Sequence, residues 1–259
     1  MAALRLMCVL AHPAGESLGT GGTLAKYSAE GVDTFLVTAT RGERGRFGDT
    51  TPRPGPEVVG PAREAELRAA ARELGLREVE VLGYPDGGLD AVDAATAQAA
   101  IAAHLCRVRP QVVITFGADG AYGHPDHIAI SQLTAAAIVG AAERGFAVSK
   151  LYHIAWSAPT WDAYQAALKK LTSTVDGVER TVMPTPDWGV SARIDTTAVW
   201  PVVWRAVQCH RSQMSIYRNL ADLGADHHRA LWGVQEFYRV FSRVNGGRTR
   251  ESDLFEGVR

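Results

Sequence analysis

Two short stretches carry the residues best equipped for chemistry. Ala11-His12-Pro13-Ala14-Gly15-Glu16-Ser17-Leu18-Gly19 follows one apolar run, and Gly120-Ala121-Tyr122-Gly123-His124-Pro125-Asp126-His127 follows another. If the two meet in space, a neutral imidazole from each can bind a zinc ion, with Asp126 or a backbone carbonyl fixing the ring tautomers from behind. The blander reading of the second stretch is that His124 and His127 cap and pack at the start of a helix. His12, at the end of a different apolar run, favours the metal reading.

Both stretches then need strand ends to hold them. Leu4–Leu10, Thr34–Thr38, Val79–Leu82 and Val112–Phe116 have the length and β-branched content of buried strands, and Gly, Pro or charged residues follow each. Helical patterns at Thr20–Ala29, Pro61–Leu74 and Ala94–Val108 lie between them. In the second, Pro61 suits a first-turn position, Gly75 a C-cap, and Leu67, Ala70, Ala71 and Leu74 one buried face. Strands alternating with helices predict a Rossmann-like α/β fold with a mostly parallel sheet. Ligands of such sheets bind beyond the carboxyl ends of the strands, where strands one and four deliver the histidines.

After Gly145 the pattern is less regular: a strand-like Leu151–Ala155, a helical Thr160–Leu171, and a helix-like Thr197–Cys209. The segment Arg41–Gly60 holds three prolines, five glycines and four arginines, and reads as a surface loop over the strand ends. We treat residues 1–259 as a single domain.

Composition narrows the class of partner. With 46% hydrophobic and 21% charged residues the chain should fold. Lys plus Arg (27) nearly balances Asp plus Glu (28), so no basic field for nucleic acid exists. The apolar run at the start is too short to span a bilayer and lacks a signal-peptide layout, so a cytoplasmic protein with a small-molecule partner and no membrane span is expected. Self-association into a homo-oligomer is left open. Cys8, Cys106 and Cys209 form no CxxC and read as buried small hydrophobes.

Other chemistries fare worse. Gly19-Thr20-Gly21-Gly22-Thr23-Leu24 lacks the third glycine of a dinucleotide fingerprint and the Gly-Lys of a P-loop, so its expected role is close helix-to-strand packing. Cys209 and His210, adjacent on a helix, would not face one another. Ser17 lacks a nucleophile elbow, and His227 and His228 read as surface residues.

Beyond spacing, the chain resembles the PIG-L/LmbE-like zinc-dependent N-deacetylases. That family carries AHPDDE-x-LG-x-GGT after strand one and GHPDH after a later strand, against AHPAGESLGTGGT and GHPDH here. The likeness continues at Thr40-Arg41-Gly42-Glu43, Arg63-Glu64-Ala65-Glu66-Leu67, Gly83-Tyr84-Pro85-Asp86-Gly87-Gly88 and His210-Arg211-Ser212-Gln213. The ending Asp253–Arg259 is similar to mycothiol-type members. It implies the PIG-L/LmbE-like deacetylase fold and hydrolysis of an N-acetylglucosamine-like or related small N-acyl substrate.

Carried over by position, the resemblance implies zinc ligands at His12 and His127, an oxyanion donor at His124 supported by Asp126, and substrate contacts at Arg41, Arg63 and Asp86. The family's general base falls at Ala14 and its third zinc ligand at Gly15, neither of which has a side chain for the task. Glu16 is the candidate substitute ligand. Loss of the base alone should cost roughly 10²–10⁴ in rate, and two histidines hold zinc poorly, so an impaired deacetylase with doubtful zinc occupancy is expected. Three readings stay open: an active-site variant of a working deacetylase, a pseudoenzyme that binds an N-acetylated ligand, and an enzyme with altered metal ligation.

Overall fold

A computed structural model describes residues 3–168 and 172–259. The first half alternates strand and helix: β1 (Arg5–Leu10), α1 (Gly15–Ala29), β2 (Asp33–Thr40), α2 (Pro56–Glu73), β3 (Glu78–Tyr84), α3 (Ala94–Val108) and β4 (Val112–Thr115). A single turn, α4 (Gly120–Gly123), leads into the long α5 (Pro125–Glu143) and β5 (Lys150–Ala155). Then come α6 (Ala158–Leu168), the hairpin β6 (Thr172–Val175) and β7 (Val178–Thr181), β8 (Ala192–Asp195), α7 (Trp200–Cys209), α8 (Arg218–Ala221), α9 (Ala225–Trp232) and β9 (Val234–Ser242).

Seven of these strands form one sheet in the order β3-β2-β1-β4-β5-β9-β8. The five strands from β3 to β5 run parallel, and β9 and β8 add an antiparallel edge. The near-continuous apolar run of β1 follows from burial on both faces, with Leu6, Cys8, Val9 and Leu10 fully buried. Because β1 pairs with β2 on one side and β4 on the other, the winding reverses between β1 and β4, and a crevice opens at their carboxyl ends. Both histidine-bearing stretches start there.

Several boundaries differ from the sequence expectation. Helix α1 starts at Gly15, five residues before the expected Thr20, because the glycine-rich run packs closely within it. A Cβ at Gly22 would stand 2.8 Å from Thr196 and one at Gly21 3.1 Å from Val203, so the run packs closely against α7 and its approach, while a Cβ at Gly19 would meet Ile154 of β5 at 3.5 Å, the helix-to-strand packing expected of the run. Helix α2 begins at Pro56, which takes the first-turn place expected of Pro61, while Pro61 lies inside the helix. The loop expected over Arg41–Gly60 therefore ends at Gly55. The expected Ala94–Val108 matches α3, and Leu67, Ala70 and Ala71 lie on the buried face of α2, with Leu74 buried at its C-cap. Of the helix expected over Thr160–Leu171, residues 169–171 lie outside the described residues.

Two expectations about single residues need correction. His228 is 4% exposed, not a surface residue, because α9 lays it between Trp200, Trp204 and Trp232 with ring centroids 5.7, 4.8 and 5.3 Å away. Cys8 is buried, but Cys106 and Cys209 are only half-buried. The C-terminal residues are tied to the sheet by a buried cluster. Lys150 Nζ donates to Glu251 Oε1 at 2.5 Å, and Tyr152, Arg239 and Asn245 also donate to the Glu251 carboxylate.

Candidate active site

The crevice brings three imidazoles together. Ring centroids of His12 and His124 are 4.8 Å apart, His12 and His127 5.1 Å, and His124 and His127 4.7 Å. His12 leaves the end of β1, His124 precedes α5 as its N-cap, and His127 sits in the first turn of that helix. Phe116, just past β4, stacks flat on His127 at 3.8 Å, and Tyr122 stands edge-on to both His124 and His127.

Asp126 organises this cluster. Fully buried, its carboxylate accepts from Gly87 N at 2.7 Å, Leu89 N at 3.0 Å and His12 Nε2 at 3.0 Å. Burial pushes its pKa up, but the His12 hydrogen bond and the two amides outweigh it, so the carboxyl is held below its usual range and is ionised. An ionised carboxylate can only accept, which puts a proton on His12 Nε2 and, in the uncharged ring, leaves Nδ1 bare.

The same reasoning fixes the other two rings. Burial, then the neighbouring His12 and His124, push His127 well below the ordinary histidine value, so it is neutral at pH 7. Its Nδ1 faces the Gly120 carbonyl at 3.2 Å and must donate, leaving Nε2 bare. His124, also lowered by burial and then by His12, accepts from the Asp126 amide at Nδ1, so its Nε2 carries the hydrogen. The capping role that the blander reading gave His124 is real, and it is also what turns this ring into a donor. Two bare imidazole nitrogens and one N–H donor result.

The loop before α1 departs from what such a set needs. Ala14 adopts the left-handed conformation (φ 85°, ψ −21°) and offers no side-chain cap to the helix. At Gly15 a Cβ would meet Leu10 and Phe116 at 3.7 Å, so a side chain there fits and would point to the ring that covers His127. Glu16 does not take the vacated place. Its Oε2 accepts from Ala14 N at 2.9 Å, and its Oε1 meets Ser17 Oγ at 2.6 Å and His210 Nε2 at 2.7 Å. Pairing with a buried His210 holds it in the core.

The expected substrate residues separate. Asp86 is buried with Oδ1 3.4 Å from His12 Nε2, inside the cluster. Arg41 instead points its exposed guanidinium at Glu64, 2.8 Å away. Arg63 is buried and donates to the carbonyls of Gly42 and Pro13, so it braces the loops and does not face the cluster. Beside His124 lies a cavity of about 570 Å³ walled by Gly87, Tyr122 and the hairpin residues Thr172 to Asp176. A short polar hairpin carries no chemical signature, so the sequence points only to the region after Leu171 as one that shapes substrate choice, without showing this wall. Sequence reasoning passed over Tyr122, although that residue stands two places before His124.

Zinc asks for three protein ligands in an open catalytic site. The residues here supply two bare imidazole nitrogens. Asp86 and Asp126 stand at the Nε2 edge of His12, away from its bare Nδ1, and Glu16 is engaged elsewhere. The ligand atoms of His12, His124 and His127 lie within 4.8 Å of one another, but with the rings hydrogen-bonded as they are here the donor set falls one short of that zinc site.

The fold and this cluster define a Rossmann-like α/β deacetylase architecture, and comparison with known proteins agrees. The chain belongs to the PIG-L/LmbE family: residues 7–138 match the family described as PIG-L, GlcNAc-PI de-N-acetylase. It is 33% identical to the 1D-myo-inositol 2-acetamido-2-deoxy-alpha-D-glucopyranoside deacetylase of Salinispora arenicola, over 98% of this chain and 91% of that one. It is also 33% identical to the protein of that name from Mycobacteroides abscessus, over 100% and 99%. A conserved protein from Thermus thermophilus superposes with a TM-score of 0.67 at 29% identity, over 94% and 97% of the two chains. The N,N'-diacetylchitobiose deacetylase of Pyrococcus horikoshii shares the fold, with a TM-score of 0.65 at 18% identity over 92% and 84%. The family comprises metal-dependent N-deacetylases of N-acetylglucosamine-type substrates, and zinc is typical of it. Among the described residues no helix is long and apolar enough to cross a membrane.

Proposed function

We propose that this chain binds an N-acetylglucosamine-like or related small N-acyl ligand in the cavity beside His124, and that hydrolysis of its amide is impaired at Ala14 and Gly15. Family membership and the substrates named for its relatives support the ligand class. One observation carries the impairment: the sole carboxylate of the altered loop, Glu16, is locked onto His210 and Ser17.

In this reading His124 Nε2–H donates to the acetamide oxygen, which gathers negative charge as the carbonyl carbon becomes tetrahedral. Asp126 orients His12 and holds the 87–89 turn, while Tyr122 and the β6 wall exclude water from the ligand's flank. His12 and His127 keep the two nitrogens of the family's zinc site, and no group at residue 14 can take a proton from attacking water. The protein then acts as a feeble deacetylase or as a pure binder of the same ligand. Its setting is cytoplasmic, a reading that the three unpaired cysteines support.

Acetate release from a panel of N-acetyl amino sugars, measured for this chain and for the Ala14→Asp, Gly15→Asp double variant, tests the reading. The double variant should be faster by roughly 10²–10⁴. An easily measured rate that is the same in both proteins overturns the assignment.

A further inference from the structure

At the Nε2 edge of His12, two carboxylates converge. Asp126 Oδ2 is 3.0 Å away and Asp86 Oδ1 3.4 Å. Asp126 is fully buried and Asp86 is 8% exposed, yet among the described residues neither has a Lys or Arg ion-pair partner, and His12 is the only group paired with them. Asp86 Oδ2 accepts from Arg44 N at 2.8 Å, but Oδ1, aimed at His12, accepts no hydrogen bond among the described residues. Buried carboxylates left without a counter-charge are costly, and a cation among them removes that cost.

The spacing suits a metal. Two ligands bonded at about 2.1 Å, with roughly 90° to 110° between the bonds, stand about 3.0 to 3.4 Å apart. The two separations from His12 Nε2 fall at those limits, and the ligand atoms of His12, Asp86 and Asp126 all lie within 4.8 Å of one another.

We propose that His12 Nε2, Asp86 Oδ1 and Asp126 Oδ2 form a site for one oxygen-preferring divalent cation of the Mn²⁺ type. On binding, the ring proton of His12 moves to Nδ1 and the metal takes its place at Nε2. Two carboxylate oxygens to one imidazole nitrogen is a donor set that favours a harder cation over zinc, and water completes the coordination from the open side of the pocket. This site uses the opposite nitrogen of His12 from the one left bare for His127. It stands independently of whether the protein hydrolyses an amide.

The test is titration of the chelator-stripped full chain with MnCl₂, followed by calorimetry and by loss of the free Mn²⁺ paramagnetic resonance signal. One Mn²⁺ should bind per chain. Asp86→Asn should weaken binding by about 10- to 100-fold, the scale on which metal affinity falls when a site's support is lost, whereas His127→Gln should leave it within about twofold. Circular dichroism should show that both variants fold, and Asp86→Glu, which keeps the charge, should bind better than Asp86→Asn. No binding at millimolar Mn²⁺, or loss in His127→Gln with Asp86→Asn unaffected, overturns the proposal. Neither result bears on the acetate-release comparison, which tests the ligand and the reaction.

Discussion

Glu16 Oε1 lies 2.7 Å from His210 Nε2, both side chains fully buried, and this contact spans 194 residues of sequence. It takes the last carboxylate of the altered loop away from the imidazole cluster and commits it to joining α1 to the end of α7.

Removing one partner of that pair should be costly. His210→Ala leaves a carboxylate buried without its counterpart and should lower stability by about 3–5 kcal/mol, read from the urea midpoint. Glu16→Ala, by the same logic, unpairs His210.

The pair also sets a dependence on pH. Burial would raise the Glu16 pKa, but the charge and hydrogen bond of His210 and the Ser17 hydroxyl outweigh it, so the folded value lies below the ordinary 4.5. A depressed carboxyl pKa adds stability that is present above the unfolded value and is lost as pH falls through the folded one. Through Glu16, the stability difference between this chain and Glu16→Gln should therefore shrink as pH falls below the ordinary carboxyl range. A difference that keeps growing below that range would contradict it.

Ala14 carries a conformational cost. Its left-handed backbone, at φ 85°, suits Gly, Asn or Asp better than Ala. Ala14→Gly should stabilise the protein by about 1 kcal/mol, raising Tm by roughly 2–4 °C in a scanning calorimeter. This strain fits a loop shaped for an aspartate at that position.

Glu251 anchors the C-terminal residues through Lys150, Tyr152, Arg239 and Asn245. Glu251→Ala strands the buried Lys150 ammonium, and a loss of about 3–5 kcal/mol in urea unfolding is expected. Hydrogen exchange should rise first in β5 and β9, the strands that carry Lys150 and Arg239.

Much of the fold was legible because its first half obeys simple periodicities. Buried parallel strands appear as short continuous apolar runs, and the matching bounds of α3 follow from a regular alanine-rich pattern between Asp93 and Arg109. The strand ends bearing His12 and His124 stand out from sequence alone, since the winding rule fixes where such sheets present ligands. What stayed hidden depends on contacts distant in sequence. Nothing local marks His210 as the partner of Glu16, or Arg63 as a brace for the Pro13 carbonyl. Nor does anything local mark His228 as the centre of a tryptophan cluster, because a surface-like His-His pair on a short amphipathic helix gives no hint of which neighbours close over it. The start of α1 was missed for a different reason: glycines lower helix propensity, and the close approach of Thr196 and Val203, distant in sequence, explains why Gly22 and Gly21 stand there.

Zinc per chain, measured by mass spectrometry on this protein and on the Ala14→Asp, Gly15→Asp double variant purified identically without added metal, tests the central claim most directly. The double variant should retain about one zinc, since it regains a third ligand beside His12 and His127, and this chain should retain almost none. About one zinc in both proteins would mean that the residues present already complete the zinc site, and the claim that positions 14 and 15 disable it would be wrong.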